Sequence, residues 1–329
     1  MTDRLLNISH LKTHFYTSIG VVRAVDGINL EIGKNETVGL VGESGSGKSV
    51  TALSVMRVIP PPGKIVEGEI LFEGEDLLKK TERQMRAIRG GKIAMTFQDP
   101  MTYLNPVIRV GEQLTEAIML HEKVSKSKAM KKAVDALETV RIASPADRVR
   151  DYPHQLSGGM RQRVLIAMSI CCNPRLLIAD EPTTALDVIT QGEIIDLMKD
   201  LRSRLESSVL IISHDMGIVA ELADYVAVMY AGKIAEYGDS VAIFKRTGHP
   251  YTAALLDSIP RVDVGRRRLK TIDGSIPDLV APPSGCRFHP RCPYANEICR
   301  REVPELSEVE RGHSVACWHY DDLKAILRT

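Results

Sequence analysis

Short runs of β-branched and aliphatic residues, broken by Gly and Asn, alternate along this chain with stretches whose apolar positions recur every three or four residues. In residues 1–75 the runs "GINLEI" and "ETVGLVG" predict strands. The stretch "VGESGSGKSVTALSVM" then passes from strand through a Gly-rich turn into a helix. Further on, "SKSKAMKKAVDALETV" predicts a helix with Met130, Val134, Leu137 and Val140 on its apolar face and Ser125 as cap. Its lysines (Lys126, Lys128, Lys131 and Lys132) read as a solvated face.

Strand patterns return in "RLLIADE", "SVLIIS" and "YVAVMYAG", with "DVITQGEIIDLMKDLRSRL" as a helix between the first two. Strands alternating with helices in both halves imply an α/β core with a mainly parallel sheet. Residues 99–170 show no strand pattern and read as a helical subdomain. Beyond residue 245 Pro becomes frequent and "VAPPSGC" reads as a hinge, so the expected division is 1–245 and 246–329.

Composition narrows the class. Lys+Arg 43 against Asp+Glu 42 gives no general polyanion binder. The N-terminus lacks the pattern of a secretory signal, and the longest apolar run, "VLIAMSICC", is half of what a membrane span needs. The expectation is a cytosolic protein, in which clustered cysteines read as ligands rather than disulfides.

The chemistry begins at "GESGSGKS", which matches the P-loop pattern in full. Gly42, Ser44, Gly45, Ser46 and Gly47 let consecutive N–H groups curl around phosphate, and the helix entered at Lys48, Ser49 and Val50 adds its positive end. Lys48 would reach the β- and γ-phosphates and Ser49 would ligate Mg²⁺. In "LLIADE" an apolar strand ends in Asp180, a carboxylate that would hold Mg²⁺ through water, followed by Glu181 as the general base for the attacking water. Between these motifs "LSGGMRQR" opens a long helix on Ser157, Gly158 and Gly159, a second phosphate-binding turn. A single γ-phosphate does not readily use both turns of one chain. The physical solution is a dimer in which Ser157 and Gly159 of each chain cap the nucleotide on the other's P-loop.

With these three motifs in this order, the chain resembles the ATP-binding-cassette (ABC) ATPases. The resemblance implies a RecA-like P-loop NTPase core with an antiparallel β-subdomain, a helical subdomain and a cysteine-containing C-terminal extension. It also implies further site residues: Gln98 in "TFQDP" as the Q-loop that senses Mg²⁺ and the attacking water, Asp187 in "TTALD" as the D-loop, and His214 in "IISHD" as the switch histidine. Phe15 in "THFY" matches the adenine-stacking aromatic, with Tyr16 as rival. The fifth signature position departs from the family: Met160 stands where Gln is usual, which removes a polar contact and leaves the Ser and Gly donors.

The tail holds Cys286, Cys292, Cys299 and Cys317, spaced C-x5-C-x6-C-x17-C. No pair has the close spacing of common zinc modules. Cys₄ sites hold zinc or iron–sulfur clusters, and spacing leaves both open. Cys171 and Cys172 read as core cysteines, His289 and His313 as spare ligands, and Trp318 as packing. The segments "GHPYTAALLDSIPR", "PPSGCRFHPRCPYANEIC", "QDPMTYLNP" and "YPHQLSGGMRQR" are similar to ATPase subunits of bacterial oligopeptide, dipeptide and nickel importers. Some members of that group bind a [4Fe–4S] cluster through these cysteines. The resemblance implies ATP hydrolysis at the cytoplasmic face of the membrane as a peripheral subunit. The implied partners are two permeases, a second ATPase subunit and, through the permeases, an extracytoplasmic solute-binding protein, with no nucleic acid. The alternatives are a soluble ABC ATPase acting on ribosomes or DNA, against which one cassette with a C-terminal cysteine site argues, and a P-loop kinase, which would lack "LSGG".

Overall fold

The computed structural model describes residues 4–96, 100–184, 186–259 and 272–327. Its strands, in chain order, are β1 (Arg4–Thr17), β2 (Gly20–Gly33), β3 (Thr37–Val41), β4 (Gly63–Phe72), β5 (Glu75–Asp76) and β6 (Ile93–Thr96). They continue as β7 (Leu176–Asp180), β8 (Ser208–Ser213), β9 (Tyr225–Tyr230), β10 (Lys233–Asp239), β11 (Ser307–Glu310) and β12 (His313–Val315). The chain forms two compact units, one of residues 1–78 with 212–329 and one of residues 79–211.

In the first unit, β2-β1-β4-β5 make an antiparallel sheet. Alternation along β1 buries Leu6, Ile8 and Leu11, shifted by register breaks in its pairing with β2. The other sheet of this unit has the order β11-β12-β10-β9-β3. Every residue of β3 is buried, as expected of a strand covered on both faces, and it runs parallel to β9 with Val38 opposite Tyr225. The sheet is nevertheless mixed. Ala231 and Gly232 join β9 to β10 with φ 47° and 82°, the two-residue turn that favours an antiparallel hairpin.

The tail extends that antiparallel edge: β12 pairs with β10, Glu236 lying opposite Val315. Just before "VAPPSGC" the Arg23 amide donates to the Leu279 carbonyl at 3.0 Å, and at its end the Cys286 amide donates to the Cys299 carbonyl at 2.8 Å. A polar knot fastens tail to sheet. Glu236, fully buried, accepts from the amides of Gly248 (2.7 Å) and His249 (3.1 Å) and from Thr247 Oγ1 (3.0 Å). His313 Nε2 lies 2.8 Å from the same carboxylate, so this histidine is engaged in the knot.

In the second unit β8, β7 and β6 lie side by side, β6 and β7 parallel, and β7 is buried throughout. Helices Val110–His121, Lys126–Thr139 and Gly158–Ile170 form the helical part. Ser125 caps its helix as expected, accepting from the Lys128 amide. The buried face differs from expectation. Ala129, Ala133, Ala136, Leu137 and Val140 are inside, while Met130 and Val134 are half-buried. Leu137 and Val140 are buried as expected, and the alanines share their face while Met130 and Val134 lie at its edge. Cys171 and Cys172, just past the end of the helix Gly158–Ile170, are half-buried rather than core, their sulfurs 3.9 Å apart.

Removing the Glu236 carboxylate would strand two buried amides and a histidine. Glu236→Ala is expected to lower unfolding stability by about 3–5 kcal/mol. The urea midpoint reports this, and a loss under about 1 kcal/mol would show that the knot is not needed.

Candidate nucleotide site and cysteine site

The P-loop joins β3 to the helix Lys48–Met56 in the first unit. Two glycines decide its path. Gly42 has φ +152°, and a Cβ there would stand 2.1 Å from the Met229 carbonyl oxygen. Gly47 has φ +110°, and its Cβ would stand 2.3 Å from the Ala24 carbonyl oxygen. The loop is thus pressed against β2 and β9 closely enough to exclude any side chain. Gly47 is also the helix N-cap and, having no side chain, supplies no cap bond to that end of the helix. A helix start of this kind suits an anion.

Lys48 is buried, and its ammonium donates to the carbonyls of Gly42 (2.8 Å) and Glu43 (3.0 Å), so it lies under the loop. Ser46 Oγ is buried with no hydrogen-bond partner among the described residues, whereas Ser44, Gly45 and Ser49 are exposed and Val50 is half-buried. Phe15 rests on Gly63, where a Cβ would come 2.6 Å from its ring, while Tyr16 is exposed beneath Lys64. His214, also in this unit, is exposed. The turn around it is held by Asp215, which caps the helix Met216–Leu222.

The second unit carries the other predicted residues. Asp180 ends β7 and is buried; Glu181 follows in a left-handed conformation, φ 46°, with Thr184 Oγ1 donating to its Oε2 at 2.8 Å. Such a conformation is uncommon for a non-glycine residue and is held here by the turn hydrogen bonds. Ser157 caps the helix Gly158–Ile170 by accepting from the Met160 amide at 3.3 Å. That bond uses the main chain of Met160, so the cap does not depend on which side chain stands there. Asp187 caps the helix Val188–Leu205, and the Thr190 amide and then the Thr190 hydroxyl hold its carboxyl below the usual range. The two caps adjoin: a Cβ on Gly159 would lie 2.6 Å from Thr190 Cγ2. Ser157, Gly158 and Asp187 remain exposed. Gln98 lies outside the described residues.

The four tail cysteines meet. Cys286, Cys292, Cys299 and Cys317 line one small cavity in the first unit, with His249, His289 and His319 beside them. Burial pushes the Cys286 thiol up, Cys292 up to about 11 and Cys317 up to about 12, with neighbouring cysteines adding to each rise. His313 does not line the cavity. His249, which the sequence reading passed over, does, and its burial lowers its pKa to about 4 and keeps the ring neutral. Its only sequence signal was the place it holds before Pro250 at a helix start, where its side chain accepts from the Tyr251 amide. Trp318 donates to the Glu302 carbonyl and packs at the cavity wall. Among the described residues no three His, Cys, Asp or Glu stand in the geometry of a single metal ion.

The ABC transporter family profile matches residues 25–184, which span the P-loop, signature and Asp180–Glu181, and the profile for the oligopeptide/dipeptide transporter C-terminal region matches residues 235–299. The chain belongs to the ABC transporter family, among the ATP-binding subunits of its oligopeptide/dipeptide group. It is 50% identical to the probable peptide ABC transporter ATP-binding protein y4tR of Sinorhizobium fredii, over 98% of this chain and 96% of that one. It is 48% identical to the dipeptide transport ATP-binding protein DppD of Bacillus subtilis, over 97% and 96%. Among solved structures, the ATP-binding cassette MJ0796, dimeric in a post-hydrolysis state with ADP and Pi, matches with TM-score 0.65 at 25% identity. That match covers 71% of this chain and 98% of the other.

Gly47→Ala tests the loop geometry. Strain of about 1–3 kcal/mol plus the clash with Ala24 should move the loop and weaken MgATP binding by about tenfold or more. Titration with a fluorescent nucleotide checks it; unchanged affinity would mean that the loop tolerates a side chain.

Proposed function

We propose that this chain is the ATP-hydrolysing motor of a peptide importer, acting at the cytoplasmic face of the membrane beside two permeases. The observation that supports it most is the presence, in one chain, of a P-loop helix that starts on a glycine and a second turn, Ser157–Gly159, with Ser157 and Gly158 exposed. One turn serves a nucleotide held by its own chain. The other is placed to serve a nucleotide on a second copy or on a related ATPase. The relatives named for peptide and dipeptide transport support the cargo class. No helix among the described residues is long and apolar enough to cross a membrane, so in this reading the path for peptide belongs to the permeases.

In this reading Lys48 neutralises the β- and γ-phosphates, Ser49 and Asp180 hold Mg²⁺ with Gln98, and Phe15 stacks on adenine. Glu181 takes a proton from the attacking water, and His214 steadies the γ-phosphate. Ser157 and Gly159 donate to the phosphate across the dimer, with Asp187 bracing that turn through Thr190. Closure on two ATP and reopening after hydrolysis drive the permeases.

The cysteine site is read as the seat of a [4Fe–4S] cluster held by Cys286, Cys292, Cys299 and Cys317. A tetrahedral zinc ion needs its thiolates about 3.8 Å apart, from Zn–S bonds of about 2.3 Å. Four cysteines lining one cavity can hold either group, and the cluster reading follows from the resemblance of the tail. The cluster would supply a rigid four-point crosslink of the tail and draw the four thiols into the thiolate form.

Glu181→Gln should keep MgATP affinity within about threefold of wild type while hydrolysis falls by about a hundredfold or more. Turnover equal to wild type would remove Glu181 as the base. For the tail, anaerobically purified protein should contain iron and sulfide at about four each per chain, lost together in Cys299→Ser. Stoichiometric zinc instead would replace the cluster reading.

A further inference from the structure

The loop between the first two tail cysteines reaches the P-loop. Cys286 and Cys292 bound the segment "RFHPR", and both ends of it sit at the cysteine cavity. From this segment Arg291 extends to Glu43, the second residue of the P-loop. Its two terminal nitrogens meet the two carboxylate oxygens one to one, NH1 with Oε1 at 3.0 Å and NH2 with Oε2 at 3.1 Å. The Arg291 side chain is 6% exposed and Glu43 29%, so the pair is largely shielded from salt. Arg291 is itself held in place, donating from Nε to the Asp273 carbonyl at 2.8 Å and lying over the Tyr230 ring. Phe288, from the same segment, packs edge-on against Tyr230 and beside Tyr251, whose hydroxyl accepts from the Glu43 amide at 3.0 Å. Arg287 donates to the Ala231 carbonyl, and the next residue, Gly232, donates its amide to the Ser46 carbonyl at 2.8 Å.

A carboxylate within a phosphate-binding loop is a liability. Opposite a triphosphate, Glu43 places like charge where the loop must accept negative charge. A bidentate guanidinium removes most of that repulsion and fixes the direction of the carboxylate. We propose that Arg291 of the cysteine-bounded loop is a positioning residue for nucleotide binding, neutralising Glu43 so that the P-loop accepts the triphosphate. This rests on the ATP-site reading above and adds to it a dependence of that site on the tail.

The test uses the full-length chain and MgATP, with dissociation constants measured by calorimetry and thermal midpoints recorded for every variant. Arg291→Gln is expected to weaken MgATP binding by about tenfold. In the Glu43→Gln/Arg291→Gln double variant the repelling charge is gone, so affinity should return to within about threefold of wild type. A role in packing alone would give no such rescue. Glu43→Gln by itself should bind at least as tightly as wild type, and this arm decides the matter even where Arg291→Gln does not fold. Three results would each overturn the proposal: Arg291→Gln within about twofold of wild type, a double variant as weak as Arg291→Gln, or Glu43→Gln weaker by more than about fivefold. Absence of MgATP binding in the wild-type chain would overturn the ATP-site reading and this proposal with it; normal wild-type binding with an indifferent Arg291→Gln overturns the proposal alone.

Discussion

No side chain fits at Gly42 or Gly47, and much of the first unit is arranged around that constraint. The backbone of the P-loop lies against the Ala24 and Met229 carbonyls, so β2 and β9 act as a wall that sets its curvature. Met229 and Ala24 belong to strands far apart in sequence, brought together because β3 and β9 pair in parallel and Asp26 donates its amide to the Gly232 carbonyl. The buried ammonium of Lys48, bonded to two loop carbonyls, braces the loop from within. The core of the unit therefore fixes the path of the loop backbone.

Helix starts divide the labour. The helix Lys48–Met56 begins on a glycine without a side-chain cap, as an anion site requires. The helices Gly158–Ile170 and Val188–Leu205 begin on Ser157 and Asp187, whose side chains satisfy their own first-turn amides. Ser157 uses one lone pair on its cap and keeps its hydroxyl proton available to an incoming acceptor. The same local chemistry thus leaves one helix start without a side-chain cap from its N-cap residue and gives the other two one.

The tail is joined to the cassette rather than suspended from it. β12 adds to the sheet at β10, Glu236 collects four donors from two separated segments, and the loop from Cys286 to Cys292 touches the surroundings of the P-loop at several points. A group held by the four cysteines would fix the ends of that loop, and so bear on residues well outside the cysteine cavity.

What the sequence by itself determined is what depends on near neighbours. The apolar runs of β3, β7 and β8 and the caps Ser125, Ser157 and Asp187 are set by β-propensity and by side chains bonding two or three residues along, and the P-loop glycines are legible as a motif although the walls that require two of them come from distant strands. Tertiary structure decided what depends on distant residues. On the helix Lys126–Thr139 the alanines Ala129, Ala133 and Ala136 join Leu137 on the buried face, which a count of large residues does not weigh. His249 joins the cysteines, and His313 turns to Glu236, because β10 and the tail meet in space. Glu43 finds Arg291 across 248 positions of sequence, a pairing that no local pattern encodes because it depends on where two loops are carried by the sheet between them.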